Sequence, residues 1–230
     1  MKRIRIGSGL SRLLAPLGLA AALATPVAQA ADDLVLGGSI PLSGVFAFAG
    51  QGIHAGITDY VKIVNDQGGV KGRKLRYVPE DTAYKVDASV AAFKKITSQN
   101  KVNFYYGDST GFSKTINAEL NRTGDILMTG ASFATELNDP AKYPAQFMLG
   151  PDYTEMFGIL LRYIAKEQPG AKVAFVYSDT EFGRDPIASS RAVAEKLGLK
   201  VATEIMTPPG SVDVSTLSLI HISEPTRLGM

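Results

Sequence analysis

Residues 39–82 read SIPLSGVFAFAGQGIHAGITDYVKIVNDQGGVKGRKLRYVPEDT, and this stretch decides the fold. The preceding apolar run, Leu34–Ile40, has the length of a buried strand, and Pro41 ends it because proline has no amide hydrogen to donate to a sheet. From Gly50 the apolar residues recur with the spacing of a helix, and a second strand begins at residue 75. A strand, a helix and a strand joined by short links predict a right-handed β-α-β unit and a parallel sheet.

The predicted helix has one apolar stripe and a clear end. The stripe consists of Ile53, Ile57, Tyr60, Val61 and Val64. Gly68 or Gly69 is free to take the left-handed conformation that commonly ends a helix. Residues 80–82, Glu-Asp-Thr, then close the second strand with a polar cluster.

Three parts of this stretch together resemble a known family. They are the Pro-Leu-Ser-Gly loop at 41–44, the Asn-Asp-Gln-Gly-Gly-Val-Lys-Gly-Arg-Lys turn at 65–74 and the acidic strand end. The combination resembles the N-terminal signature of the type I periplasmic solute-binding proteins, and more narrowly the branched-chain amino-acid-binding group that feeds ABC importers. Weaker motifs extend the resemblance from about residue 34 to about residue 216. It implies an α/β fold with doubly wound parallel sheets in two lobes.

Composition excludes several classes of function. The 230 residues contain no cysteine, which excludes disulfides, thiolate metal sites and cysteine nucleophiles. The formal net charge is +2, but residues 1–30 hold four basic residues and no acid. Removing those four positive charges from +2 leaves −2, so we expect no nucleic-acid partner.

Residues 1–30 have the pattern of a secretory signal peptide. A basic start is followed by a stretch rich in Leu and Ala at 13–23, and Ala28-Gln29-Ala30 matches the small-x-small cleavage pattern. The apolar stretch is too short to span a membrane, which takes about 20 residues. We expect cleavage on export and a periplasmic mature protein.

A second unit follows, and its loop is the first candidate site. Val86, Val90, Phe93 and Ile96 predict a helical face, and 102–106 predicts a strand. A loop rich in glycine and hydroxyls at 107–111 then precedes a predicted helix at 113–120. Ligands of parallel sheets bind at such strand ends, where helix amides favour an anion. Ser109 and Thr110 are therefore candidate ligand-binding residues. Helix N-capping is the other role open to either of them, and the two roles can hold together.

The next loop, 130–136, follows a predicted strand at 125–129. The family resemblance implies that Ala131 and Ser132 hold the amino and carboxylate groups of a ligand, with Ser109 or Thr110 supplying the other hydroxyl. Phe133 stands where the family commonly has a small polar residue.

Three phenylalanines near these loops have two possible roles. Phe46, Phe48 and Phe133 either line a pocket for a flat aromatic or large apolar solute, or pack in the core.

The strand–helix pattern restarts after residue 151. Residues 146–151 resemble the family's crossover strand between lobes, which implies a strand there. The residue pattern then predicts a helix at 156–164, a strand at 172–177, a helix at 181–197 and a strand at 200–206. We therefore expect lobe one at 31–151 and the start of lobe two at 152–216. The resemblance implies that Phe182, before Gly183, covers the ligand from the far side; core packing is its alternative role.

The end of the chain departs from the family pattern. Residues 217–227, LSLIHISEPTR, resemble the translation of a sequencing-library adapter. We expect 217–230 to be a non-native tail, the chain to be a C-terminally truncated fragment and lobe two to be incomplete. His54 is then the only native histidine, so no metal site and no cofactor are expected.

The sequence carries no motif of a catalytic site. It has no Gly-x-Ser-x-Gly elbow, no Walker loop and no Gly-x-Gly-x-x-Gly after the first strand, so we expect no enzyme. The resemblance implies an extracytoplasmic substrate-binding component of an ABC importer. Such a component binds a branched-chain amino acid or a similar small carboxylate by lobe closure and delivers it to a membrane permease. An aromatic-acid- or amide/urea-binding member and a ligand-sensing receptor domain are the alternatives.

Overall fold

The structure is a computed structural model, and it describes residues 32–211. The predicted signal peptide at 1–30 and the predicted tail at 217–230 lie outside the described residues. In the described part, six strands and seven α-helices follow one another in a regular α/β order.

The opening unit has the predicted elements. They are β1 (Leu34–Ile40), α1 (Ala47–Asp66) and β2 (Leu75–Asp81). The helix begins three residues before the predicted Gly50, because the amide of Ala47 already donates to Gly44. It ends as predicted, with φ values of +99° at Gly68 and +77° at Gly69. One member of the predicted apolar stripe, Tyr60, is 65% exposed, so its place in the buried face was wrong.

The second unit contains α2 (Val86–Gln99), β3 (Val102–Gly107), α3 (Thr110–Thr115), α4 (Asn117–Thr123) and β4 (Leu127–Gly130). The single helix predicted at 113–120 is instead two short helices that meet at Ile116. The first of them starts earlier than predicted because Ser109 caps it: the Phe112 amide donates to the Ser109 hydroxyl.

These strands form one parallel sheet in the order β2-β1-β3-β4. Neighbouring residues of β1 point to opposite faces. A Cβ at Gly37 would meet Tyr105 and Ile96 of the α2 side, whereas a Cβ at Gly38 would meet Tyr77, whose ring contacts His54 of α1. Helices therefore cover both faces, which confirms the doubly wound arrangement.

The main core lies between this sheet and α2, α3 and α4. Its largest buried side chains are Phe93, Tyr105, Phe112, Ile116 and Leu120. The Phe93 and Tyr105 rings meet edge to face at 4.9 Å. Burying each such side chain stabilises the fold by about 1.5–3 kcal/mol, so this core holds the sheet and the three helices together.

The predicted crossover strand at 146–151 was wrong. This segment forms only an isolated bridge, in which Met128 of β4 pairs with Gln146. The Met128 amide donates to Ala145, and the Phe147 amide donates to Met128, so the segment touches the sheet edge briefly and then leaves it.

The rest of the described chain builds a second sheet. Its elements are α5 (Tyr153–Glu167), β5 (Lys172–Ser178), α6 (Glu181–Arg184), α7 (Ile187–Lys196) and β6 (Lys200–Thr207), and β5 and β6 pair in parallel. The helix predicted at 181–197 is split, because Pro186 has no amide hydrogen to continue it. A separate core around Leu161 and Phe175 packs against this sheet. Within residues 32–211, no helix is both long and apolar enough to cross a membrane.

Candidate functional site

The carboxyl ends of all four strands of the first sheet lie at one edge. Pro41 follows β1, Thr82 follows β2, Asp108 follows β3 and Ala131 follows β4. The strand order changes direction between β1 and β3, and ligands of open α/β sheets bind in the crevice at such a point. This edge is therefore the candidate site.

Asp108 is the charged residue at the centre of this edge, and it is only 2% exposed. Three hydroxyls donate to its carboxylate. Thr82 and Ser89 donate to Oδ2, the latter at 2.7 Å, and Ser109 donates to Oδ1 at 2.9 Å. The carboxylate thus ties together the end of β2, the helix α2 and the start of α3.

Ser109 has the capping role that was its alternative in the sequence. Its hydroxyl accepts a hydrogen bond from the Phe112 amide at 3.2 Å and donates its single proton to Asp108. With that proton committed, the hydroxyl has no donor to offer a bound anion. Of the two hydroxyls that the sequence left open, the geometry favours Thr110.

Thr110 and Ser132 form the second hydroxyl pair. Their oxygens lie 2.8 Å apart, and both residues are buried. The hydroxyl of Tyr153 also hydrogen-bonds to this pair. Burial raises the pKa of Tyr153, and the hydrogen bonds from its neighbours oppose that rise, so its hydroxyl stays protonated at neutral pH.

A cavity of about 160 Å³ opens at this edge. Among the predicted site residues it brings together Phe46, Ala131 and Phe182. Tyr84 and Asp108 also line it. A second, larger cavity of about 290 Å³ shares the rings of Phe46 and Phe182 and continues towards β5.

Phe182 reaches the cavity because of the turn that carries it. Thr180 caps α6 by accepting from the Gly183 amide at 3.0 Å. A Cβ at Gly183 would lie 2.2 Å from the Ser178 carbonyl oxygen, so only glycine allows this tight turn. The Phe182 ring meets Tyr153 edge to face at 5.3 Å.

The other two candidate phenylalanines do not line either of these cavities. Phe48 is 78% exposed, and its ring lies 6.1 Å from that of Phe46. Phe133 packs against the small core that contains Leu137 and Tyr153.

Side chains also join the loops of the two sheets next to the cavity. Lys114 of α3 lies 2.9 Å from Glu181 of α6 and 3.0 Å from Glu136. The backbone amide of Thr135 donates to Asp185 at 3.0 Å. These polar contacts hold the Phe182 turn over the edge of the first sheet.

Two residues that line the cavity, Tyr84 and Asp108, are not among the candidates predicted from the sequence. The rule that ligands bind beyond the carboxyl ends of parallel strands points to both, because each follows a strand of the first sheet. Tyr84 follows Thr82 in a turn where Ala83 and Tyr84 have φ values of +48° and +62°. Such strained backbone persists only where the surroundings hold it.

Comparison with known proteins identifies the family. The family model described as periplasmic binding protein matches residues 34–219, which is most of the chain. The chain therefore belongs to this family, and the resemblance seen in the sequence is confirmed. The match extends three residues into the segment that we expected to be non-native.

Individual relatives support the same family. A Leu/Ile/Val-binding protein homolog 7 from Brucella suis biovar 1 (strain 1330) is 24% identical over 207 residues, covering 86% of this chain and 52% of the relative. The solved structure of a branched-chain amino acid ABC transporter protein from Thermus thermophilus with bound valine is similar, with a TM-score of 0.76 and 26% identity. That match covers 84% of this chain and 50% of the other.

A third similar protein shares the fold. It is a solute-binding protein of an ABC transporter from Rhodopseudomonas palustris BisB5, solved in complex with 3,4-dihydroxy benzoic acid. The TM-score is 0.73 at 20% identity, over 84% of this chain and 52% of that one. The chain thus spans about half the length of the relatives it matches.

Proposed function

We propose that the protein is the extracytoplasmic substrate-binding component of an ABC importer. It binds a branched-chain amino acid or a similar small carboxylate between two lobes and presents it to a membrane permease. The observation that carries this proposal is the cavity at the switch point of the first sheet, which Phe182 from the second sheet covers. Lobe closure around a solute is an established form of domain motion in binding proteins.

In this proposal the carboxylate of the solute meets the Thr110 and Ser132 hydroxyls. One of the paired hydroxyls donates to the other, and Tyr153 hydrogen-bonds to the pair, so in this proposal the solute carboxylate takes over the hydrogen bond now made with Tyr153. Hydrogen bonds to a charged group are worth about 1.5–3 kcal/mol each. Ala131 lines the cavity, and in this proposal its carbonyl accepts a hydrogen bond from the amino group of the solute.

An aromatic acid is the second candidate solute. The rings of Phe46, Tyr84 and Phe182 give the cavity an aromatic lining that suits a flat ring. The related protein from Rhodopseudomonas palustris, bound to 3,4-dihydroxy benzoic acid, supports the same possibility.

Export belongs to the same proposal. The basic start and the Ala28-Gln29-Ala30 motif support cleavage near Ala31 and a periplasmic mature protein.

Calorimetry with the complete gene product tests the solute class. The panel comprises leucine, isoleucine, valine, 3,4-dihydroxybenzoate and urea, with glucose as an uncharged control. We expect saturable binding of at least one amino acid or aromatic acid. Failure of the whole panel, or binding of glucose alone, would overturn the proposed function.

A further inference from the structure

Asp108 is the charged residue of the 160 Å³ cavity, whose other lining residues include Phe46, Ile53, Tyr84 and Phe182. Its three hydrogen-bond partners, Thr82, Ser89 and Ser109, are all neutral hydroxyls. Among residues 32–211, no lysine or arginine side chain forms an ion pair with it. A buried carboxylate beside a cavity thus lacks a cationic partner among the described residues.

All three hydroxyls donate to the Asp108 carboxylate. They do not neutralise its charge, and a buried charge without a counter-ion is costly. Oδ1 accepts only one of the three hydrogen bonds, from Ser109, so it retains accepting capacity. A cation in the cavity would therefore donate a charge-assisted hydrogen bond to the Asp108 carboxylate, which the three hydroxyls already hold in place.

The aromatic rings that line the cavity also favour a cation. The rings of Phe46 and Tyr84 lie 4.1 Å apart at 37° to one another, and the Phe182 ring lines the same cavity. Burial, with the nearby Tyr153 and Asp108, raises the pKa of Tyr84 to about 12, so its ring is a neutral phenol. Faces of neutral aromatic rings attract ammonium groups within about 6 Å.

We propose that Asp108, with the rings of Phe46, Tyr84 and Phe182, forms a subsite for the organic ammonium group of the solute. This inference rests on the proposed function and narrows it. The solute carries a protonated amine, and its apolar part extends into the adjoining 290 Å³ cavity, which Phe157, Val176 and Pro186 help to line. A carboxylic acid without an amine would leave Asp108 unpaired and bring a second negative charge towards it.

Asp108 also holds the fold together, since its hydroxyl partners come from three different segments. A test must therefore separate ligand selectivity from stability. Three probes share one carbon skeleton and differ in charge: leucine carries both groups, 4-methylpentanoate lacks the amine and 3-methylbutylamine lacks the carboxylate.

The complete gene product is titrated with the three probes by calorimetry. We expect leucine to bind at least about tenfold more tightly than 4-methylpentanoate, which corresponds to one charge-assisted contact. In Asp108→Asn this preference should shrink to about threefold or less. Asp152→Asn is the matched control, because Asp152 is also buried and caps α5 but lines neither cavity. It should lower the melting temperature and leave the preference intact.

A second variant covers the case in which Asp108→Asn does not fold. Phe46→Leu removes an aromatic face at a half-buried position and keeps an apolar side chain. It should weaken leucine and 3-methylbutylamine by about threefold or more and leave 4-methylpentanoate nearly unchanged. Tyr60→Leu, at an exposed position of the same helix, is its control and should change none of the three affinities.

The outcomes separate this inference from the proposed function. Equal binding of leucine and 4-methylpentanoate to the wild type overturns the ammonium subsite and leaves the proposed function standing. An unchanged preference in Asp108→Asn, together with a lower melting temperature, assigns Asp108 to stability alone and also overturns it. If neither these probes nor the wider panel of solutes binds, the proposed function fails and the inference fails with it.

Discussion

Thr110 Oγ1 and Ser132 Oγ lie 2.8 Å apart, although the two residues follow different strands of the sheet. Each is almost fully buried, at 0% and 4% exposure. Parallel strands bring their carboxyl ends to one edge, so two loops that are separate in sequence deliver hydroxyls to one point. The pair links the start of α3 to the loop after β4 and is therefore both a structural contact and a proposed ligand contact.

The first prediction concerns this pair. Thr110→Val should lower the free energy of unfolding by about 0.5–1.5 kcal/mol, because it removes the hydrogen bond between the buried Thr110 and Ser132 hydroxyls. Ser132→Ala should have a similar effect. The double variant should lose clearly less than the two single losses together, since both partners are removed at once. Urea denaturation measures the three changes, with Ser98→Ala at an exposed position as the control. Strictly additive losses would show that the two hydroxyls do not interact.

The second prediction concerns the turn that carries Phe182. A Cβ added by Gly183→Ala would lie 2.2 Å from the Ser178 carbonyl oxygen, so the turn must shift. We expect a loss of about 1–3 kcal/mol of stability, typical of overpacking. We also expect weaker solute binding, because Phe182 moves away from the cavity.

Gly52→Ala is the matched control for this change. Gly52 lies within α1, and a Cβ there meets nothing within 4 Å. The same substitution should stabilise the protein by about 0.5–1 kcal/mol and leave binding unchanged. Thermal melts and calorimetry on both variants make the comparison, and wild-type affinity in Gly183→Ala would contradict the role given to the turn.

Six strands were predictable from the sequence to within two residues, whereas the crossover strand predicted at 146–151 does not form. Each of the six is a short run rich in apolar residues that ends at a proline, a glycine or a polar residue, as β1 does before Pro41 and β3 at Gly107. The helices after β3 and β5 were less predictable. Their starts and breaks depend on two single residues, the helix cap Ser109 and Pro186. The spacing of apolar residues, from which the helices were predicted, does not reveal the effect of either residue.

The site was predictable only in part. The family resemblance and the strand ends pointed to Phe46, Ala131 and Phe182, and these do line one cavity. The use of the Ser109 hydroxyl was not predictable, because it depends on the neighbouring Asp108. The other partners of that carboxylate, Thr82 and Ser89, are 26 and 19 residues away in sequence.

The third prediction concerns pH. Asp81 accepts hydrogen bonds from the amides of Leu42, Ser43 and Ala83 and from the Ser43 hydroxyl at 2.6 Å. The Ser43 hydroxyl is the largest cause that lowers the pKa of Asp81, and the backbone amides add to it. Because the pKa is lower in the folded state, the carboxylate contributes stability that is fully present above the unfolded value of about 3.9. That contribution is lost as the pH falls through the folded value.

Urea denaturation of wild type and Asp81→Asn at neutral and acidic pH checks this sign. The difference in unfolding free energy between the two proteins should be largest at neutral pH and should shrink below about pH 4. In a Ser43→Ala background the shrinkage should be smaller, because the main cause of the lowered pKa is gone. A difference that stays constant with pH, or grows towards acid, would contradict the assignment.

The fourth prediction concerns the ion pair between the two sheets' loops. Lys114 retains 24% side-chain exposure and contacts Glu181 of the Phe182 turn at 2.9 Å. Partly exposed ion pairs are worth about 0.2–1 kcal/mol and weaken as salt screens them. This contact joins the Phe182 turn to α3 beside the cavity, so Lys114→Gln should weaken solute binding at low salt. An ion pair worth up to about 1 kcal/mol corresponds to a loss of about two- to fivefold in affinity. At high salt the variant and the wild type should converge.

Lys62→Gln is the control for general charge effects. Lys62 pairs with Asp66 at 2.5 Å within α1, at an exposed position. Removing it changes the net charge by the same amount without touching the contact between the sheets. Its affinity should match that of the wild type at every salt concentration, as measured by calorimetry on the complete gene product. Because both substitutions remove one positive charge, a salt-dependent loss in Lys114→Gln alone would locate the effect at the contacts of Lys114 with Glu181 and Glu136. An equal loss in both variants would instead indicate long-range steering of a charged solute, and the closure role of Lys114 would be abandoned.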